Sequence, residues 1–168
     1  MATITKSLAQ SLKVIPPSQE LGFGKYFTDH MFIAKYKEGL GWYEKSIVPY
    51  GPLNIDPSAS VLHYGQALFE GLKAYRQADG QVAFFRPDYN QKRMADGAER
   101  LCLQAPPLDL FMEGLNELVR VDERWVPSEP NTSLYIRPTL IGTEGFLGVR
   151  PSKETIFFII LSPVGAYY

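Results

Sequence analysis

The chain has 168 residues, 45% hydrophobic and 21% charged, a composition typical of a globular protein with one substantial core. Its formal net charge of −1 at pH 7 provides no basic surface for nucleic acid or for a membrane, so we expect a small-molecule or protein partner. The single cysteine, Cys102, excludes an internal disulfide and a cysteine-based metal site, and it favours a reducing, cytoplasmic location. No stretch approaches the roughly 20 apolar residues that a membrane-spanning helix needs.

The first part of the chain predicts an N-terminal arm followed by a β-hairpin. Residues 1–22 show little periodicity, and we expect an arm that is ordered by what it packs against. The segments Tyr26–Tyr36 and Trp42–Tyr50 are rich in β-branched and aromatic residues and predict two strands joined by a turn at Gly39–Gly41. His30, inside the first strand, is interpreted as a structural histidine.

The segment Leu62–Tyr75 is dense in aromatic residues and glycines. Its first half has too much Gly and Tyr to favour a helix, whereas its second half alternates and predicts a strand. A polar turn at Gln77–Gly80 predicts that strand Leu72–Arg76 pairs with strand Gln81–Phe85 in a second hairpin. We infer that this segment does more than pack in the core and that it positions other groups.

Two helices are predicted next. The sequence Arg86-Pro87-Asp88 predicts the start of a helix that reaches Leu103, because Pro is favoured in the first turn and Asp complements the helix dipole. Arg93 lies on the shoulder of its apolar stripe, where it is either a solvated side chain or a rigid fork for a phosphate or carboxylate. A second helix begins near Asp109, and its three-and-four apolar spacing predicts a role in packing alone.

The strand predicted over Ser133–Ile141 carries a polar and aromatic face. Tyr135 and Arg137 are two positions apart and share that face. They are either a solvent-facing pair or the wall of a pocket that recognises a carboxylate or hydroxyl. Pro138 within the same strand predicts a sheet edge or a bulge.

The end of the chain predicts an apolar loop and a buried strand. Residues 142–151 carry three apolar side chains between glycines, which indicates a partner or ligand surface or a loop folded back on the core. Thr155–Leu161 is almost continuously apolar and predicts a strand buried on both faces. The elements together predict an α+β domain over residues 23–168, with a mainly antiparallel sheet and two packing helices, and a missing second part beyond residue 168.

Several motifs, in order along the chain, resemble the branched-chain amino-acid aminotransferases of the fold-type-IV pyridoxal phosphate class. They are FTDHM at 27–31, LHYGQALFEGLKAY at 62–75, FRPDYNQKRM at 85–94, SLYIRP at 133–138 and PVGAY at 163–167. The resemblance implies a homodimeric enzyme that moves the amino group of leucine, isoleucine or valine to 2-oxoglutarate. It also implies that this chain is the small N-terminal domain and is inactive alone, because the family's Schiff-base lysine lies in the larger C-terminal domain.

The resemblance also implies roles for individual residues. Arg93 corresponds to the arginine on the phosphate of pyridoxal 5'-phosphate, a cofactor shared with the C-terminal domain. Arg137 corresponds to the arginine that meets the distal carboxylate of glutamate. The implied aromatic walls of the branched side-chain pocket are Phe23, Tyr135 and Tyr167. The residues implied to reach into the site of the other subunit are Tyr64, Leu147 and Val149.

Two alternatives stay open from the sequence. A D-amino-acid aminotransferase or an aminodeoxychorismate lyase would share the fold, although the SLYIRP and FEGLK contexts favour the branched-chain group. A stand-alone binding or regulatory module would keep Arg93 and the pocket walls without the lysine. Lys73 does not match the family's Schiff-base position, so no catalytic residue is assigned in this chain. No metal ligand is assigned either.

Overall fold

The fold is organised around one curled, mostly antiparallel sheet of eight strands. The computed structural model describes residues 3–165. The strands are β1 (Thr5–Lys6), β2 (His30–Lys37), β3 (Gly41–Pro49), β4 (Ala67–Phe69), β5 (Leu72–Arg76), β6 (Val82–Phe84), β7 (Ser133–Gly142) and β8 (Glu154–Val164). Their order is β1-β3-β2-β8-β7-β5-β6, β4 also pairs with β7, and β1 runs parallel to β3. The predicted α+β class is confirmed.

Two long helices pack on one face of this sheet. The helices are α1 (Ser60–Tyr64), α2 (Pro87–Arg100) and α3 (Leu108–Val121), with short 3₁₀ turns at Ser18–Glu20 and Glu123–Trp125. α2 ends before the predicted Leu103, because Cys102 adopts a φ of 55° and the Leu103 N–H turns back to Ala98 O at 2.9 Å. None of the described helices has the length and apolar character that a bilayer crossing requires.

The two faces of the sheet differ in what covers them. Leu134, Ile136 and Leu140 of β7 are fully buried against the helices. Tyr135 and Arg137 alternate with them and point to the opposite face. On that second face, Phe158 and Ile160 of β8 are only partly buried, so the prediction of a strand buried on both faces is wrong for these positions.

Pro138 lies inside the sheet, so the prediction of an edge or a bulge is wrong. β7 pairs with β8 in unbroken register on one side and with β4 and β5 on the other. The Glu70 N–H donates to Pro138 O at 2.9 Å, but proline has no N–H to return, so the ladder is interrupted there. The register is the same on both sides of the interruption, with Phe69 opposite Thr139 and Leu72 opposite Ile136.

The segment 62–75 contains more elements than the sequence predicted. Its start belongs to α1, which ends at Gly65 with a φ of 62°, a conformation that glycine adopts without strain. The expectation that this half is not helical is therefore wrong for Leu62–Tyr64. The additional strand β4 precedes the predicted strand β5, which is confirmed over Leu72–Arg76.

The N-terminal segment that contains Ala9 is held by buried polar groups at the start of β2. The Ala9 N–H donates to His30 Nε2 at 2.9 Å, and His30 Nδ1 lies 2.7 Å from Asp122 Oδ1. Because Nε2 accepts a hydrogen bond, the proton of the neutral ring is on Nδ1 and points to Asp122. These contacts agree with the structural interpretation of His30.

A neighbouring group, here called the Asp29 cluster, consists of Lys13, Asp29, Arg124 and Trp125. The Asp29 carboxylate is 1% exposed and accepts from the Lys13 N–H at 2.7 Å, Arg124 Nη2 at 2.6 Å and Trp125 Nε1 at 2.7 Å. Burial opposes ionisation of this carboxyl, but the hydrogen bonds from Trp125, Lys13 and Arg124 outweigh it and hold the pKa of Asp29 below its ordinary value of 3.8.

We expect the Asp29 cluster to make folding sensitive to acid. Since the folded pKa of Asp29 is depressed, its stabilisation is complete above pH 3.8 and is lost as the pH falls through the folded pKa. Asp29→Asn should lower the free energy of unfolding by about 2 kcal/mol at pH 7 and flatten its acid dependence. Urea unfolding across pH 2–7 measures both, with the exposed Asp96→Asn as the control. An unchanged acid slope in Asp29→Asn would contradict this role.

Candidate active site

The second face of the sheet carries an aromatic and cationic cluster. The Tyr135 ring packs edge-on against Phe23, with ring centroids 5.0 Å apart. The Arg137 guanidinium lies 4.0 Å from the centroid of the Phe69 ring and donates to Tyr135 Oη from Nε at 3.1 Å and from Nη2 at 2.8 Å. We call Phe23, Phe69 and Tyr135 the aromatic wall. An apolar surface with the Arg137 guanidinium beside it is therefore exposed on this face.

Gly71 makes room for Tyr135. A Cβ built on Gly71 would clash with the Tyr135 hydroxyl and would lie 3.1 Å and 3.3 Å from two ring carbons. The side chain of Tyr135 therefore crosses directly over the backbone at Gly71, where any larger residue would displace it. This close approach fixes the position of the hydroxyl that Arg137 contacts.

Tyr64, Leu147 and Val149 form a second group, at the loop of residues 143–153 between β7 and β8. We call this loop the apolar loop. The Tyr64 hydroxyl donates to Leu147 O, which joins α1 to the apolar loop. Leu147 is 60% exposed and Val149 is 88% exposed. These two side chains project outward, which favours the interpretation of the loop as a contact surface.

Gln66 connects the apolar loop to the rest of the fold. Its side-chain Oε1 accepts from Ser60 Oγ at 2.9 Å and from the Ser152 N–H at 3.3 Å. Its backbone O accepts from the Gly142 N–H at 2.9 Å, and its Nε2 donates to Leu101 O at 2.8 Å. Through its side chain and its backbone, Gln66 therefore ties α1, the end of β7, the end of the loop and the residue after α2 together.

An internal ion pair further orders the apolar loop. Arg150 donates to both carboxylate oxygens of Glu144, at 2.7 and 2.9 Å, and the Lys153 N–H donates to Glu144 at 2.9 Å. The Arg150 hydrogen bond, followed by that of the Lys153 N–H, holds the pKa of Glu144 below its ordinary value against the effect of burial. The exposed apolar side chains thus belong to a loop that is ordered by its own internal hydrogen bonds.

Arg93 lies on α2 and is paired with a buried carboxylate. Its Nε donates to Glu70 Oε1 at 3.0 Å and its Nη2 lies 2.9 Å from Glu70 Oε2. The Arg93 side chain is 69% exposed, whereas that of Glu70 is 7% exposed. A guanidinium has five N–H donors, so the two that meet Glu70 leave three on the edges facing away from it. That arrangement suits a phosphate.

A shallow groove of about 210 Å³ lies beside Arg93. The groove is lined by Phe85, Arg86, Tyr89, Asn90 and Arg93. The Arg86 guanidinium stacks 3.6 Å from the centroid of the Tyr89 ring, so two cations border the groove. Residues 3–165 contain no group of three His, Cys, Asp or Glu side chains that could hold a metal ion.

The structure locates most of the residues predicted for the site. Phe23, Tyr135 and Arg137 come together on the open face, and Tyr64 and Leu147 meet at the apolar loop. Val149 lies on the same loop, Arg93 lies on α2, and Tyr167 is outside the described residues.

Sequence reasoning missed Phe69 and Glu70. Glu70 does carry a signal, because strand alternation places it between Leu68 and Leu72 on the face that the helices cover. A carboxylate at such a position needs a partner, and this requirement alone could have singled it out.

Comparison with known proteins identifies relatives of this chain. The branched-chain-amino-acid transaminase 1 of Bacillus subtilis (strain 168) is 56% identical over 155 residues, which are 91% of this chain and 43% of that protein. The chain is homologous to the N-terminal portion of the branched-chain amino-acid aminotransferases. The resemblance predicted from the motifs is thereby confirmed.

Other branched-chain aminotransferases support the same relationship. The aminotransferase 2 of Bacillus subtilis (strain 168) is 48% identical over 166 residues, 99% of this chain and 46% of that protein. A crystal structure of the T.th. branched-chain amino acid aminotransferase with pyridoxamine 5'-phosphate matches with a TM-score of 0.63 and 27% identity, over 81% of this chain and 40% of that one. The chain thus spans less than half the length of these relatives. No protein-family model matches it.

The contact between Gly71 and Tyr135 can be tested through stability. Gly71→Ala should lower the free energy of unfolding by about 1–3 kcal/mol, because the added methyl group displaces the Tyr135 hydroxyl. Adding Tyr135→Phe removes that hydroxyl and should recover about half of the loss. Urea unfolding measures the effect. Gly51→Ala, where the nearest atom to the new Cβ is 3.9 Å away, is the control. Equal losses of unfolding free energy in Gly71→Ala and Gly51→Ala would show that the close approach of Tyr135 to Gly71 does not affect stability.

Proposed function

We propose that this chain is the N-terminal domain of a pyridoxal phosphate-dependent aminotransferase that moves the amino group of leucine, isoleucine or valine to 2-oxoglutarate. The observation that carries the proposal is the aromatic wall with Arg137 beside it. Transamination between these substrates requires one pocket to accept an aliphatic side chain in one half-reaction and a carboxylate in the other. An apolar wall with a single nearby guanidinium meets both requirements.

The contacts of Arg137 suit a pocket that accepts an aliphatic side chain in one half-reaction and a carboxylate in the other. Its partner is the neutral Tyr135 hydroxyl, which accepts from Nε and Nη2. Hydrogen bonds between two charged groups are stronger than those to a neutral acceptor, so a substrate carboxylate would compete well for this guanidinium. With an aliphatic substrate, Arg137 keeps its hydrogen bonds to the Tyr135 hydroxyl and its contact with the Phe69 ring, which partly offset the cost of its charge in the pocket.

Arg93 would hold the cofactor by its phosphate. Pyridoxal 5'-phosphate supplies, when bound, the electron sink that transamination requires. The donors of Arg93 that face away from Glu70 are available to a dianion, and Arg86 adds a second positive charge at the groove. The aromatic wall would contact the substrate side chain and exclude water from it.

The remaining surfaces fit a larger assembly. We propose that residues 1–22 form an arm and residues 23–168 a small domain that works with a larger C-terminal domain, which supplies the lysine, so that the chain alone is inactive. Tyr64, Leu147 and Val149 would contact the active site of the second subunit of a homodimer, and the family resemblance assigns Tyr167 to the substrate pocket. An exposed free Cys102 fits a cytoplasmic location.

The phosphate role of Arg93 predicts a cofactor defect. In the complete enzyme, Arg93→Ala should weaken pyridoxal phosphate binding about 10- to 100-fold, because charge-assisted hydrogen bonds are lost, and should leave the preference among substrates unchanged. Equilibrium dialysis measures the cofactor affinity. Arg86→Ala, which removes the groove's other guanidinium, is the matched control and should have the smaller effect. A change in substrate preference with normal cofactor retention would refute the assignment.

The role of Arg137 predicts a selective substrate defect. Arg137→Gln should lower kcat/KM for glutamate at least about tenfold more than kcat/KM for leucine, because only glutamate loses a charged partner. Steady-state kinetics with each amino donor measures the ratio. Lys73→Gln, at the strand position opposite Tyr135 on the same face, removes a different positive charge and serves as the control. Equal losses for both donors would mean that Arg137 only supports the fold.

A further inference from the structure

We propose that Glu70 is a positioning residue that presets Arg93 for its anion. Glu70 would hold the Nε–Nη2 edge of the guanidinium so that the remaining donors face the groove. This inference rests on the proposed function, because the anion is the phosphate of the cofactor. It assigns the orientation of Arg93, and with it part of the cofactor affinity, to a side chain that contacts neither cofactor nor substrate.

Glu70 occupies an unusual place for a carboxylate. It lies at the interruption between β4 and β5, and strand alternation directs its side chain to the helix-covered face, where only 6% of the residue is exposed. A buried carboxylate is destabilising unless each oxygen has a partner. Oε1 accepts from Arg93 Nε, and Oε2 contacts Arg93 Nη2 and accepts from Asn90 Nδ2 at 2.8 Å. Both oxygens are therefore satisfied, and both are tied to α2.

The backbone of Glu70 is fixed as firmly as its side chain. Its N–H donates to Pro138 O at 2.9 Å, which anchors it to the central strand β7. Asn90 also donates to Gly71 O at 3.3 Å, so the same helix turn holds the next residue. The carboxylate is consequently held in a fixed position relative to β7 and α2.

Arg93 needs such a fixed partner. Its side chain is 69% exposed on the surface of α2, and a free arginine side chain has many rotamers to lose when it becomes ordered. A guanidinium that is ordered before the anion arrives loses less entropy on binding, which raises affinity through preorganisation. The paired edge keeps three donors available, so the ion pair and the anion do not compete for the same N–H groups.

A contrary role for Glu70 makes the opposite prediction. If the carboxylate only neutralised Arg93, its removal would expose an uncompensated cation and tighten anion binding. If it positions Arg93, its removal loosens the guanidinium and weakens anion binding. The sign of the change therefore separates the two roles.

The test is a double-mutant cycle in the complete enzyme. Glu70→Gln, Arg93→Ala and the double variant are compared by the dissociation constant of pyridoxal 5'-phosphate and by the concentration of inorganic phosphate that displaces it. Glu70→Gln should weaken cofactor binding about tenfold in the wild-type background and less than about twofold in the Arg93→Ala background. Asn90→Ala, which removes the other partner of Glu70, should act in the same direction with a smaller effect and serves if Glu70→Gln does not fold.

Each outcome has a defined meaning. Normal cofactor binding in Arg93→Ala would refute the phosphate role, and the inference would fall with it. Weak binding in Arg93→Ala together with an unchanged constant in Glu70→Gln would refute the inference alone. A Glu70→Gln effect of equal size in both backgrounds would show a general structural role, and tighter binding would show a competing one; either result overturns the positioning role.

Discussion

A proline without an N–H to donate determines how the aromatic wall and the Arg93–Glu70 pair are arranged. Pro138 accepts a hydrogen bond from Glu70 and returns none, which divides the neighbouring strand into β4 and β5. Strand alternation then sends the Glu70 side chain towards α2 and leaves Gly71 under Tyr135 on the other face. The interrupted ladder thus places Glu70, which pairs with Arg93, next to Gly71, over which Tyr135 packs.

The two faces of the sheet contribute different physical properties. The helix-covered face is closely packed, so β7 and β8 are rigid supports for the side chains that alternate onto the open face. The open face combines aromatic rings, partly buried aliphatic side chains and one guanidinium. A rigid strand carrying Tyr135 and Arg137 two residues apart holds their relative positions more closely than a loop would. The apolar loop compensates for its lack of regular structure with the Gln66 and Glu144 contacts.

Sequence patterns predicted the elements well where the signal is local. Alternation located β7 and the shared face of Tyr135 and Arg137, and the apolar period located α3. Pro138 was misjudged, because its tolerance inside a sheet depends on a gap in the neighbouring strand, which no local rule reveals. Arg93 was ambiguous from its helix position, and only the family motif assigned it to a phosphate. Its partner Glu70 is 23 residues away in sequence, a pairing that only the fold establishes.

The Asp29 cluster has a consequence for the order in which the chain folds. The carboxylate of Asp29 meets Arg124 across 95 residues and Lys13 across 16 residues. Contacts between such distant segments form late, because a long loop must close before they are gained. The bonds from Arg124 to Lys13 O and to Asp29 can form only when β2 and the turn at Glu123–Trp125 are side by side, whereas the Lys13–Asp29 bond does not need this turn. We therefore expect the Asp29 cluster to become complete only after the sheet has assembled.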